Sequence, residues 1–176
     1  MARPLIFDST PLIYIVRVSL ANLLRILDEP KIITRSVYKE LLKGEALGKP
    51  QAIALRGLID EKAIKLRDPR DKGFVMKILK LAAEKERSPL HRAEADVLAL
   101  TKELEGVAIS DDHVARSIAG LIGIELHGTG YILGRIYKAG RISKDGLLEN
   151  VSEMRRSGWR MTEEDYEKIL DYLRRL

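Results

Sequence analysis

Five short apolar runs, set between longer segments of helical period, leave this chain few ways to fold. Leu5-Ile6-Phe7, after Pro4, reads as a strand that ends at Asp8-Ser9-Thr10. Lys31-Ile32-Ile33-Thr34 and Val107-Ala108-Ile109-Ser110 read the same way, and Ile124-Glu125-Leu126-His127 is a shorter candidate. Ala63-Ile64-Lys65-Leu66 is either a strand or an extended connection. Parallel pairing needs long crossovers, and the helical segments between the runs supply them. An α/β layered sandwich with a mostly parallel sheet follows.

The helical segments are legible from caps and periodicity. Pro11 suits a first helical turn capped by Ser9 or Thr10, and apolar residues recur from Leu12 to Leu27 too densely for an exposed helix. Ser36 caps a short helix through Glu40 to Lys43, a loop runs from Gly44 to Pro50, and a helix is predicted near 51–61. After the turn-forming Asp68-Pro69-Arg70-Asp71-Lys72-Gly73, helices are predicted at about 74–85, from Ser88-Pro89 through Leu104, and at about 113–121. Beyond Gly128 only helices follow, at about 129–139, 143–156 and 162–175, with Gly140 and Gly158 between them. There is no internal repeat and no low-complexity segment.

Composition excludes several functions. The 176 residues suffice for one domain with a buried core, and the absence of Cys removes disulfides, thiolate zinc sites and a Cys nucleophile together. Arg17 interrupts the first apolar stretch, so no transmembrane helix is expected, and Met1-Ala2-Arg3-Pro4 leads into strand-like sequence without a signal peptide's apolar core. A soluble cytoplasmic protein is the expectation. Asn22, Asn150 and Gln51 are the only amide side chains, a bias expected of a heat-adapted source. The net charge of +5 is unevenly spread: residues 30–92 carry 16 basic and 8 acidic side chains, residues 93–133 carry 2 and 7. An acidic island in a basic chain suits carboxylates that hold a cation while Lys and Arg attract phosphates, and it also suits a solvated acidic face.

In parallel α/β sheets ligands bind outside the carboxyl ends of the strands. Two strands here end in acids, at Asp8 and at Asp111-Asp112; a third leads into the helix carrying Glu40, and the helix after Ser88-Pro89 carries Glu94 and Asp96. These oxygen ligands favour Mg²⁺ or Mn²⁺ over zinc. Each acid has an ordinary alternative: Asp8, Asp111 and Asp112 as helix caps, Glu40, Glu94 and Asp96 as solvated helix charges. Ala93, Val97, Leu100 and Leu104 form an apolar stripe, and at 100° per residue Glu94 and Asp96 fall on opposite flanks, each about 80° from its centre. Asp96 is the preferred ligand of the two.

Together, Leu5-Ile6-Phe7-Asp8-Ser9-Thr10-Pro11-Leu12, Val37-Tyr38-Lys39-Glu40-Leu41, Ala93-Glu94-Ala95-Asp96-Val97-Leu98-Ala99-Leu100 and Val107-Ala108-Ile109-Ser110-Asp111-Asp112 resemble the PIN-domain family, which includes the VapC-type ribonuclease toxins. The resemblance covers about residues 3–130. The remainder, with Gly128-Thr129-Gly130 and Ser157-Gly158-Trp159-Arg160-Met161, is similar to a branch with an extra C-terminal segment. The division expected is a nuclease domain over 1–130 and a helical extension over 131–176 packed on it. The resemblance implies a three-layer α/β/α sandwich and an Mg²⁺- or Mn²⁺-dependent endoribonuclease that hydrolyses RNA phosphodiester bonds. The family's acids fall on Asp8, Glu40, Asp96 (or Glu94) and Asp112 (or Asp111), and its small hydroxyl residues on Ser9 and Ser110, which could bond a carboxylate or a metal-bound water.

Arg35, Lys39, Lys43, Arg92 and Arg116 lie beside these acids in sequence and are candidates for gripping the phosphate backbone. His91 and His113 read as ordinary helix-end histidines, and His127 has no assigned role. Scarce aromatic residues argue against a stacking platform for RNA. Trp159 is expected to anchor the terminal helices to the domain. The resemblance further implies a homodimer and a toxin with an antitoxin partner. The contrasting reading is a non-catalytic PIN-like module that binds RNA or protein. A haloacid-dehalogenase-type phosphate-transfer loop would need an acid where Thr10 stands, and no phosphate-binding Gly-rich loop is present.

Overall fold

The computed structural model describes residues 2–48 and 50–176; the part of the expected 44–50 loop that falls on Lys49 lies outside them. Among the described residues five strands form one all-parallel sheet: β1 (Leu5–Phe7), β2 (Lys31–Ile33), β3 (Lys65–Leu66), β4 (Val107–Ile109) and β5 (Leu126–His127). Among the described residues nine α-helices accompany them: α1 (Ser9–Arg17), α2 (Arg35–Ala46), α3 (Pro50–Asp60), α4 (Lys72–Lys85), α5 (Arg92–Leu104), α6 (His113–Leu121), α7 (Thr129–Lys138), α8 (Lys144–Arg156) and α9 (Glu163–Arg175). No helix among the described residues is long and apolar enough to cross a membrane.

The strands lie in the order β3-β2-β1-β4-β5. From β1 the chain therefore moves outward one way to β2 and β3, then returns past β1 to β4 and β5. Leu5 pairs with Lys31 on one side and Val107 on the other, and Phe7 with Ile109. The order reverses between β1 and β4, and a crevice opens at their carboxyl ends, where open α/β sheets bind ligands. β1, β2 and β4 are buried throughout, as strands covered on both faces must be. α5 packs on β1 and β4 with α4 and α6 beside it, and right-handed crossovers put α1 in the opposite layer, where α7 meets the turn that follows α1. The result is a three-layer α/β/α sandwich with added C-terminal helices.

Three local expectations change. The apolar segment from Leu12 to Leu27 is not one helix: α1 stops at Arg17, Ser19 takes φ 62°, and residues 21–26 form a 3₁₀ turn. Redirecting the chain at Ser19 lets Leu20, Leu24 and Leu27 all reach the core, which a straight surface helix could not do. In the other direction, α2 continues through Gly44 to Ala46 instead of ending in a loop at Gly44. The helix expected from Ser88-Pro89 begins at Arg92, with His91 at its cap position.

The C-terminal helices share one core with the sheet. Ile132, Leu133 and Ile136 of α7 and Leu147, Val151 and Met154 of α8 are fully buried in it, each worth about 1.5–3 kcal/mol. α9 starts cleanly at Thr162, whose hydroxyl accepts the Asp165 N–H, and Glu163, Glu164 and Asp165 oppose the helix dipole there.

Candidate active site

Asp8 sits where β1 ends and α1 begins. Its backbone N–H donates to the Ile109 carbonyl, so the residue is carried past the end of β1 beside β4. The side chain caps α1: Oδ1 accepts the Ser9 N–H at 2.7 Å, and Oδ2 accepts the Ser110 hydroxyl at 3.1 Å. The cap is thus Asp8, not Ser9 or Thr10, and the Ser9 hydroxyl is freed to donate to Glu40 Oε2 at 2.7 Å. On the other side Ser110 Oγ accepts the Asp112 N–H at 3.2 Å, and Asp112 caps α6 by accepting the Ala115 N–H at 2.7 Å. Hydrogen bonds therefore run without a break from Glu40 on α2, through Ser9, Asp8 and Ser110, to the backbone N–H of Asp112 at the cap of α6.

Glu94, in the first turn of α5, completes the group. With Asp8, Glu40, Asp111 and Asp112 it lines a cleft of about 510 Å³. Its Oε2 is buried and has no hydrogen-bond partner. Burial, with Asp112 and Glu40 nearby, holds the Glu94 carboxyl above its usual range, against its own backbone N–H and His91. Asp8 is 4% exposed, and burial, then Glu94 and Glu40, push its carboxyl up to about 7 despite the Ser9 and Ser110 bonds.

Of Glu94 and Asp96, the structure brings Glu94 and not the preferred Asp96 to the cleft. Asp96 lies outside the cleft: Oδ1 accepts Arg92 Nε at 3.0 Å and Oδ2 accepts the Ser36 hydroxyl at 2.8 Å, so it ties α5 to the start of α2. Asp111 reaches the cleft wall, but both oxygens of its carboxylate are held by the C-terminal segment. Thr129 donates its N–H at 2.7 Å and its hydroxyl at 2.6 Å, and the Trp159 indole N–H donates at 3.0 Å. Gly128 makes this possible, since a Cβ there would stand 2.7 Å from Asp111 Oδ1.

Of the candidate phosphate-gripping residues, Lys43 lines the cleft. Arg35 pairs with Asp68 at 3.4 Å at the outer start of α2, Arg92 serves Asp96, and Lys39 and Arg116 are exposed outside the cleft wall. His91 and His113 are exposed at helix starts. Arg17 and Arg160 line the cleft, although neither was singled out from the sequence. Their signal is tertiary: Arg17 adjoins the site through the turn of α1, and Arg160 arrives from the far end of the chain.

The donor set suits a hard divalent cation, because every candidate ligand is a carboxylate oxygen and the unpartnered Glu94 Oε2 is the atom such an ion would satisfy. Asp8, Glu40, Glu94 and Asp112 could hold it. Among the described residues no three acids or histidines already stand close enough together to share an ion. Asp8 and Glu40 keep side-chain oxygens in the hydrogen-bond chain, Asp112 gives one to the Ala115 N–H, and neighbouring carboxylates repel one another.

Comparison with other proteins agrees with this fold. A structure of PAE2754 from Pyrobaculum aerophilum shares the fold, with a TM-score of 0.52 and 16% identity over 78% of this chain and 99% of the other. No curated protein matches in sequence. A family model described as a PIN domain matches residues 4–175, which takes in the C-terminal helices as well as the sheet. PIN domains are nucleases in general and use divalent metals, as an acidic crevice at the β1/β4 switch point leads one to expect. The chain belongs to the PIN-domain family.

Proposed function

We propose that this protein is a metal-dependent endoribonuclease, and that Asp8, Glu40, Glu94 and Asp112 hold Mg²⁺ or Mn²⁺ for hydrolysis of RNA phosphodiester bonds. The observation that carries the reading is the buried, unpartnered Oε2 of Glu94 beside an Asp8 carboxyl pushed up to about 7. Groups kept under such electrostatic stress, in a cleft at a topological switch point, are a mark of function. A bound cation would relieve the repulsion, activate a water and offset charge on the phosphate oxygens.

The protein's own groups prepare the site. Ser9 and Ser110 hold Asp8 from both sides, one on each of its oxygens, and Ser9 takes Oε2 of Glu40 and leaves Oε1 available. The Ala115 N–H occupies one oxygen of Asp112 and leaves the other available. Lys43, Arg17 and Arg160 on the cleft wall bring positive charge to a phosphate that the acids alone would repel. The role we propose is that of a toxin held in check by an antitoxin protein, acting as a homodimer in the cytoplasm.

Labelled single-stranded RNA incubated with purified protein in Mn²⁺, Mg²⁺ or EDTA, beside Asp8→Asn, tests the reading. Cleavage that needs metal and disappears in the variant is expected. Folded protein that leaves several RNAs intact but still binds them points to a non-catalytic module and refutes the reading.

A further inference from the structure

The C-terminal helices do more than add to the core, because the turn between α8 and α9 is fastened to the cleft residue by residue. The Ser157 carbonyl accepts Arg17 Nη1 at 2.5 Å, and the Gly158 carbonyl accepts the Tyr14 hydroxyl at 2.6 Å. Gly158 has φ 97°, a conformation that glycine takes without strain and that turns the chain back toward the site. Trp159 is 3% exposed, its ring lies 6.2 Å from that of Tyr14, and its indole N–H donates to Asp111 Oδ2. Tyr14, Arg17 and Asp111 all line the cleft. Three successive residues are therefore pinned to the walls of the acidic site, and the fourth, Arg160, is delivered into it.

Arg160 lines the cleft with Asp8, Glu40 and Glu94, is exposed, and its guanidinium makes no hydrogen bond or ion pair among the described residues. Arg17, the other arginine on the wall, is already committed to the Ser157 carbonyl and packs over the Tyr14 ring at 4.8 Å. A guanidinium on the cleft wall with no partner among the described residues is available to an anion. Its planar fork matches two oxygens of one phosphate.

Resting on the ribonuclease reading, we infer that Arg160 binds a backbone phosphate of the RNA at the cleft, and that Trp159 and Asp111 are positioning residues that aim it. On this account Asp111 belongs to the anchor of the C-terminal turn, and the metal ligand of the Asp111-Asp112 pair is Asp112.

The test uses Asp8→Asn as a binding-competent background and compares it with Asp8→Asn/Arg160→Ala and Asp8→Asn/Arg160→Lys. Fluorescence anisotropy with a single-stranded oligoribonucleotide would follow Kd against salt. Loss of the phosphate contact is expected to weaken binding about tenfold and to flatten the salt slope by about 0.7, with Lys restoring the slope but only part of the affinity. In the active background, Arg160→Ala is expected to raise KM more than it lowers kcat. Trp159→Phe should weaken binding in the same direction while leaving calorimetric Mn²⁺ binding intact, as should Asp111→Asn. An unchanged Kd and salt slope in Arg160→Ala overturns the inference while the nuclease reading stands. Failure of the Asp8→Asn background to bind RNA, with no cleavage by the wild type, overturns both. Loss of Mn²⁺ binding in Asp111→Asn overturns the anchor assignment.

Discussion

Replacing Asp8 by Asn should make the metal-free protein more stable at neutral pH while removing its activity. Asn keeps both hydrogen bonds of the cap: its Oδ1 accepts the Ser9 N–H, and its Nδ2 donates to Ser110 Oγ. Only the charge is lost. The wild-type carboxyl has an ordinary value of 3.8 and stands at about 7 in the folded chain, with burial the first cause and Glu94 and Glu40 behind it. Between these values the native state keeps a proton that the unfolded chain has released. Stability is therefore greatest below about pH 4 and falls as pH rises through about 7.

At 1.36 kcal/mol per tenfold change in acidity, the part of that interval above pH 5 corresponds to about 2–3 kcal/mol lost by pH 8. Glu94, whose carboxyl burial also raises, adds to the fall in the same direction. Thermal melts in EDTA at pH 5, 6, 7 and 8 should show the wild type losing about 4–10 °C relative to Asp8→Asn across that range. Mg²⁺ or Mn²⁺ at about 100 times its Kd would return about 2.7 kcal/mol to the wild type, and little to the variant. Melting temperatures that run parallel from pH 5 to 8 would refute the reasoning, because Asp8 would then carry no buried charge to relieve.

Three further outcomes separate site from scaffold. Glu94→Gln should lower RNA cleavage at least about 100-fold with little loss of stability, since it removes a strained buried charge. Asp96→Asn should retain most of the activity and cost about 1–3 kcal/mol in denaturant unfolding, through its lost bonds to Arg92 and Ser36; the reverse pattern would return Asp96 to the site. Gly128→Ala, whose Cβ would press on Asp111 Oδ1, should destabilise by about 1–3 kcal/mol, and an unchanged unfolding midpoint would show that the Asp111–Thr129 contact gives way freely.

Local chemistry made much of this protein readable. A strand followed at once by an acid places that acid at the strand's carboxyl end wherever the strand lies in the sheet, so Asp8 and the Asp111-Asp112 pair were visible before any packing was known. Apolar runs too short for a helix and separated by helical segments required a parallel, twice-covered sheet, and the β3-β2-β1-β4-β5 order honours that requirement. The break after Arg17 was not readable, because the apolar density of residues 12–27 permits both a buried helix and a bent chain. The core selected the bend by accepting Leu20, Leu24 and Leu27.

The rest depended on tertiary structure for one physical reason: chemistry shared between distant segments has no local signature. Glu94 and Asp96 flank the same apolar stripe at equal angles, and only the seating of α5 against β1, β4 and α2 turned Glu94 to the cleft and Asp96 to Ser36 and Arg92. Asp111 and Asp112 are neighbours in sequence and both suit a cap, yet the docking of Thr129 and Trp159 claimed one and left the other to α6 and the site. Arg160 stands 152 positions beyond Asp8. It meets the acids only because a buried Trp159, a glycine at φ 97° and the Tyr14 and Arg17 side chains of α1 fold the last turn of the chain back over the first.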